Sequence, residues 1–344
     1  MAEVKRLTFS TGRNDCGRRI DRVLRKFLPT LPLGAIYGGM RKRDIRVNGE
    51  KTTPDYLVRP GDVISVSPHF ARKWEIPGGP NGIACSDIPR PSESSPSIRV
   101  ILETPDLLVL DKPAGILIHG PGSLEEAVRE YLAPKLPPSL SFTPGPLHRL
   151  DRNTSGAVFF GKSIRGARTF SELLTTGRLV KLYLAVVEGT LGTEAKWSDR
   201  ITRNGKSKKS TARQRENPTR GGKVASLAAE PVAAGKELSL VRFTLHTGRT
   251  HQIRVQTAAR DLPLAGDIKY GGHRLREPGI PGQGVPPYLL HAHTVRAADP
   301  EGAGELGIET VTAVPPAYFL EIVEKYFGTE TVEKLSGPST GRER

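Results

Sequence analysis

At 344 residues the chain is long enough for about two domains. A hydrophobic fraction of 37% supports a packed core and excludes a wholly disordered polymer. Lys and Arg total 51 against 36 Asp and Glu, and the net charge of +15 points to a polyanionic partner.

The first ten residues lack the apolar core of a secretory signal, and no apolar run approaches the roughly 18 residues that cross a bilayer. Cys16 and Cys85 form neither a disulfide framework nor a C-x-x-C site. The expectation is a cytoplasmic protein with no membrane partner. Ile20, Val23, Leu24, Phe27 and Leu28 then mark one face of an amphipathic helix, with Arg18, Arg19, Arg22, Arg25 and Lys26 on the other. A second helix is predicted over Leu33 to Arg43, weakened by Gly38 and Gly39. Asn48-Gly49 signals a hairpin, and Asp62 to Ser67 a closing strand. Between Arg18 and Arg46 the net charge is +7, with Arg41, Lys42 and Arg43 adding to the helix cluster. A surface of that kind suits sequence-independent phosphate contacts. The stretch His69 to Ser97 is crowded with Pro, Gly and Ser and reads as a linker.

Beyond it, Leu107 to Leu110 and Ala157 to Phe160 read as apolar strands, and Ile164, Ala167, Phe170 and Leu174 follow a helical period. Lys181 to Val187 alternates, placing Leu182, Leu184 and Val186 on one face and Tyr183, Ala185 and Val187 on the other. A net +8 stretch from Lys196 to Lys223 looks like a long exposed arm or hairpin. Glu237 to Leu245 is a further strand, and His251 to Ala259 a helix capped by Thr250. Helices and strands mix without regular alternation, so the fold class is α+β. The polar end, Thr329 to Arg344, is expected to fray.

Three runs are dense in chemistry. His148 to Gly156 sets Asp151 between Arg149 and Arg152, and positive neighbours favour its ionised form. An ionised, positioned Asp serves as nucleophile or base; a turn with surface salt bridges fits the same residues equally well. Thr247 to Arg254 reads as strand, glycine turn and helix start, which offers free backbone N–H groups to an anion. Arg254 there presents a planar fork to a carboxylate. Pro263 to Gly272 is a glycine-punctuated loop that reads by itself as a structural turn. His246, His251, His291 and His293 come without an H-E-x-x-H or a cysteine pair, so no metal site is read.

Together these runs resemble the RNA pseudouridine synthases of the RluA/RluC/RluD type. H-R-L-D-x-x-T-S-G is matched at His148 to Gly156, K-x-Y-x-A-x-V-x-G at Lys181 to Gly189 and G-R-T-H-Q-I-R-V at Gly248 to Val255. P-x-x-G-D-x-x-Y-G-G is matched at Pro263 to Gly272, and L-H-A at Leu290 to Ala292. The first segment is similar to the S-four-like RNA-binding module, through its basic helices and Arg46-Val47-Asn48-Gly49. The resemblance implies an isomerase that turns specific uridines of RNA into pseudouridine without a cofactor. Large-subunit ribosomal RNA is the implied substrate, transfer RNA the alternative, and no protein partner is readable. Asp151 is the implied catalytic residue. Tyr183 stacks on the base, Arg254 pairs with Asp151, Arg149 helps extrude the base, and Lys181 is supporting only. An inactive RNA-binding relative on the same fold is the rival reading, and the intact Asp151, Tyr183 and Arg254 count against it.

The implied layout is an S-four-like domain over 1–68, a linker over 69–97, a catalytic domain over 98–328 with a mixed, largely antiparallel sheet, and a polar tail over 329–344. RNA contacts are expected at Arg18, Arg19, Arg22, Arg25, Arg41, Lys42 and Arg43. Gln256 departs from the family, which usually has histidine there, and His293-Thr294 departs after the L-H-A segment.

Overall fold

The computed structural model describes residues 6–76, 96–137, 139–203, 210–214, 222–273 and 287–335. They divide into two compact units, one drawn from Met1–Ser94, Ala127–Gly145 and Lys162–Arg165, the other from Ser95–Glu126, Pro146–Gly161 and Gly166–Arg344. Among the described residues no helix is long and apolar enough to cross a membrane.

In the first unit β1 (Leu7–Ser10), β2 (Ile45–Val47), β3 (Glu50–Lys51) and β4 (Val63–Val66) form an antiparallel sheet in the order β1-β4-β2-β3. Asn48 and Gly49 both take positive φ, the geometry of a tight hairpin turn. The first helix, α1 (Ile20–Phe27), forms as its period predicts: Ile20, Val23 and Leu24 are buried, while Arg22, Arg25 and Lys26 face water. In α2 (Leu33–Arg41), Gly39 weakens the helix yet lets it dock. A Cβ at 39 would stand 2.9 Å from both the Ile45 side chain and the Phe70 ring.

The expected linker starts too early. Ser67 caps α3 (Pro68–Lys73), and Phe70, Ala71 and Ile76 join the buried cluster around Ile36, Ile45 and Ile64. Three apolar side chains were enough to fold 69–76 onto the sheet, and composition averaged them away. Residues 77–95, with Cys85, lie outside the described residues. The unit is also discontinuous in sequence. Buried Asp15 accepts hydrogen bonds from the hydroxyls of Ser139 and Ser141 and from the N–H groups of Leu140 and Ser141. Leu140 packs on the same cluster.

The larger sheet is α+β and mostly antiparallel, as expected. Its strands are β5 (Val100–Glu103), β6 (Leu107–Lys112), β7 (Gly145–Pro146), β8 (Ser155–Gly161), β9 (Leu179–Glu188), β10 (Ala195–Arg203), β11 (Ser210–Gln214), β12 (Lys223–Ala234), β13 (Leu238–Leu245), β14 (Leu290–Ala297) and β15 (Thr310–Thr312). The order runs β11-β10-β12-β13-β9-β14-β8-β6-β5, with β15 on β14 and β7 on β8. Among the described residues β14 pairs with β8 in parallel. Gly156 makes this possible: its φ is +109°, and a Cβ there would lie 2.2 Å from the Ala292 carbonyl oxygen.

The helices are α4 (Leu124–Leu132), α5 (Ile164–Thr175), α6 (Gln252–Ala258), α7 (Pro300–Leu306), α8 (Ala317–Phe327) and α9 (Thr329–Leu335). Leu184 and Val186 of β9 pack with Leu240, Phe319, Ile322 and Val323, so one face of β9 lies under α8. At the other end Leu107, Val109, Phe159, Phe170 and Leu173 form a second cluster.

Two expectations fail in part, and residues 336–344 of the tail lie outside the described residues. The tail does not fray at 329, because α9 buries Thr331 and Leu335 against the α8 cluster. The basic stretch 196–223 does form a hairpin in its described part, β10 pairing antiparallel with β11, but it is part of the sheet and not an exposed arm. It supplies strands β10 and β11, and Trp197, Asp199 and Ile201 are buried. Alternation explains this: Lys196 and Arg200 sit out of phase with those three residues, and a charge count does not register phase. Lys206, Lys208, Lys209, Arg215 and Arg220 lie outside the described residues.

Candidate active site

The loop before β8 is held from below and from behind. Lys112, fully buried at the end of β6, donates from Nζ to the carbonyls of Pro113 (2.8 Å), Arg152 (2.9 Å) and Thr154 (2.8 Å). Burial pushes its pKa down to about 7, against the pull of Asp151 and Asp111. Satisfying all three carbonyls takes three N–H donors, so the protonated form is the one that grips the loop. His148 accepts from the Phe159 N–H at Nε2 (3.1 Å) and stacks on Phe170. Burial, with the Lys181 charge adding, pushes it down to about 3, so it is a neutral structural histidine. Leu150 points into the core, and Asp151 is left half-buried at the loop's turn.

Strand β9 places Tyr183 and Lys181 on the face opposite Leu184 and Val186, as its alternation predicts. Both line a cavity of about 480 Å³ together with His148, Arg149, Asp151, His246, Gly248, Arg249, His251 and Arg254. Cavities that take small ligands run from about 300 to 1,000 Å³. Burial, reinforced by the charge of Asp151, pushes the Tyr183 phenol well above its ordinary pKa. It therefore presents a neutral ring and an intact O–H. Arg149 is exposed on the cavity wall.

The third run departs from its sequence reading. Thr250 is not the cap of α6. His251 is, in the left-handed conformation (φ 57°). Nor is the turn's N–H array free: Arg249 N donates to Gln252 Oε1 at 3.0 Å. A glutamine four residues beyond the glycine folds back and satisfies the turn internally, so no anion cradle is left at that group. His251 is held through Nδ1 to the Tyr270 hydroxyl (2.7 Å), with Nε2 3.8 Å from Asp151 Oδ1. Burial lowers its pKa, Asp151 opposing and Arg254 and Lys269 adding.

Arg254 meets Asp151 through Nη1 and Oδ2 at 3.1 Å, the pair the resemblance implies. Its fork, however, engages a different carboxylate: Nε and Nη2 reach the two oxygens of Asp267 at 2.7 and 2.9 Å. The guanidinium also lies 4.2 Å from the Tyr288 ring centroid and 5.0 Å from that of Tyr270. Burial opposes its charge, yet the Asp267 hydrogen bonds and the negative neighbours hold its pKa above the ordinary value. Asp151 thus keeps one oxygen fixed on a cation and offers the other beside His251. Such a group can act on an electrophilic carbon or take a proton.

Asp267 and Tyr288 were missed as site residues. Asp267 stood in plain view in the Pro263–Gly272 loop, which reads as a turn until the fold brings it to Arg254. Tyr288 carried no motif signal. Gln256, the departure from histidine, is fully buried and donates to Asp199 Oδ2 (2.6 Å) and the Ala225 carbonyl (3.2 Å). It anchors α6 to the sheet and does not enter the cavity lining.

In the first unit Arg19, Arg22, Arg25, Arg41, Lys42 and Arg43 are exposed. Arg18 is half-buried and donates to the Ser141 carbonyl, and Arg19 is held by Asp21 at 2.9 Å. Those two are partly committed within the protein, and the other five form the freer basic set.

A family model described as RNA pseudouridylate synthase matches residues 106–259. The chain is 32% identical over 305 residues to a protein of Pasteurella multocida named ribosomal large subunit pseudouridine synthase C, covering 89% of each. It is 31% identical over 303 residues to the protein of the same name from Escherichia coli K12, covering 85% of this chain and 88% of that one. Among solved structures, human RNA Pseudouridylate Synthase Domain Containing 4 superposes with a TM-score of 0.53 at 21% identity, over 66% of this chain and 92% of that one. Human RNA Pseudouridylate Synthase Domain Containing 1 gives 0.51 at 23%, over 69% and 89%. At those identities the structures speak for the fold alone.

Proposed function

Because the chain belongs to the RNA pseudouridylate synthase family and is an RNA pseudouridine synthase, an isomerase, we propose that it modifies uridines of large-subunit ribosomal RNA, with Asp151 as the catalytic carboxylate. The relatives named for that ribosomal subunit support the choice of RNA. The observation that carries the site is Asp151, pinned through one oxygen by Arg254 and open at the other to a cavity walled by Tyr183. A uridine must leave its helix to reach it, at an unstacking cost of a few kcal/mol. Arg149, exposed on the cavity wall, helps extrude the base in this reading. Asp151 then acts on the ribose, and the detached base turns over against Tyr183 and rejoins through carbon.

The first unit we read as an S-four-like RNA-binding module. Arg22, Arg25, Arg41, Lys42 and Arg43, all exposed, supply a phosphate-facing surface. Asp151→Ala is expected to abolish pseudouridine formation in unmodified large-subunit ribosomal RNA while leaving RNA affinity within a few-fold. Unchanged turnover in that variant would overturn the assignment.

A further inference from the structure

Among the described residues one buried cation of the cavity wall is unaccounted for. Lys181 is 7% exposed, and among the described residues it has neither a hydrogen-bond nor an ion-pair partner. Two other buried cations of the site are matched, Lys112 by three carbonyls and Arg254 by two carboxylates. An ammonium taken out of water without a counter-group costs several kcal/mol. Burial alone shifts its pKa, downward, and no carboxylate among the described residues offsets it. Its neighbour His148 is neutral and already occupied at Nε2.

Its position narrows what it awaits. Lys181 shares a strand face with Tyr183, two residues and roughly 6.6 Å along β9. Its Nζ lies over Gly248, where an added methyl would stand 3.6 Å away. Arg149 and Arg249 are exposed cations of the cavity wall, and those suit phosphates. A deep, nearly dry ammonium beside the aromatic platform suits the flat base itself.

We propose that Lys181 is a catalytic residue of the isomerisation, its ammonium meeting the carbonyl edge of the extruded uracil and neutralising the charge that the ring gains as it leaves the sugar. The inference rests on the reading that the cavity takes a uridine. When the C1′–N1 bond breaks, its electron pair stays with N1 and spreads onto the ring carbonyl oxygens, while the electron-poor sugar carbon faces the Asp151 carboxylate. Lys181 keeps its three protons and transfers none. The counter-charge that Lys181 awaits is the departing base, so the interaction is stronger after bond breaking than before it, which is the condition for accelerating the step.

The test uses the full chain and an unmodified transcript of large-subunit ribosomal RNA under single-turnover conditions. Lys181→Met is expected to slow pseudouridine formation by about 100-fold or more, the usual effect of removing a preorganised partner of developing charge. RNA affinity and its salt dependence should be unchanged, and Lys181→Arg should recover part of the rate. Lys181→Gln is read the same way if the Met variant does not fold. A rate within threefold of wild type overturns the proposal. So does a fall of the salt slope by about 0.7–0.9, which marks Lys181 as a phosphate ligand instead. A wild-type chain that binds the transcript and forms no pseudouridine fails the isomerase reading itself, a result distinct from an active Lys181 variant.

Discussion

Arg254 divides one guanidinium between two carboxylates, and the division sets the geometry of Asp151. The fork on Asp267, both partners buried, fixes the plane of the group; only Nη1 is left for Asp151. Removing one partner of such a buried pair leaves the other uncompensated, which is far costlier than breaking a surface ion pair. Asp267→Asn keeps the shape but weakens the hold. It is expected to cut turnover by roughly 10- to 100-fold through Asp151 misplacement, with RNA affinity retained. Single-turnover rates beside binding curves check this. The motif pointed to Asp151 and Arg254 as candidate site residues. That Asp267 orients Arg254 from 13 residues away was not legible, because a loop's sequence does not say which side chain it will face.

Among the elements, β8 and α5 are joined by a histidine. His148 accepts the Phe159 N–H and stacks on Phe170, so its neutral form belongs to the packing. The folded pKa is about 3, below the roughly 6.5 of an unfolded histidine. The unfolded chain therefore binds the extra proton. Stability is complete above pH 6.5 and drains as pH falls toward 3, by at most about 1.4 kcal/mol per pH unit from this group. His148→Gln is expected to remove that share of the acid slope, as urea unfolding at a series of pH values would measure. Strand β9 was the most legible element: its period placed Tyr183 away from Leu184 and Val186. The strands of the 196–223 stretch were the least, because charge density hid Trp197, Asp199 and Ile201 behind their basic neighbours.

For the whole molecule the positive excess is the governing property. The truncation that sequence alone would recommend, cutting before Ser97, is a poor test, because Asp15 and the α1 cluster hold residues 139–141 of the later chain. Substituting Gln for Arg22, Arg25, Arg41, Lys42 and Arg43 leaves that packing intact. The logarithmic salt slope of RNA affinity is expected to flatten by about 0.7–0.9 for each phosphate no longer neutralised. Titrations across a range of salt concentrations measure it, and an unaltered slope would place the RNA on another surface.

The sequence by itself determined what is local or cumulative: the helix face of α1, the hairpin at Asn48-Gly49, the alternation of β9, the net charge and the motif that carries Asp151. The tertiary structure decided which carboxylate takes the Arg254 fork, which histidines are neutral, how far the first unit extends, and that Lys181 is buried with no counter-charge among the described residues. The physical reason is the same in each case. Periodicity is a property of neighbours along the chain, whereas a counter-charge and a dielectric are supplied by residues that only folding brings near.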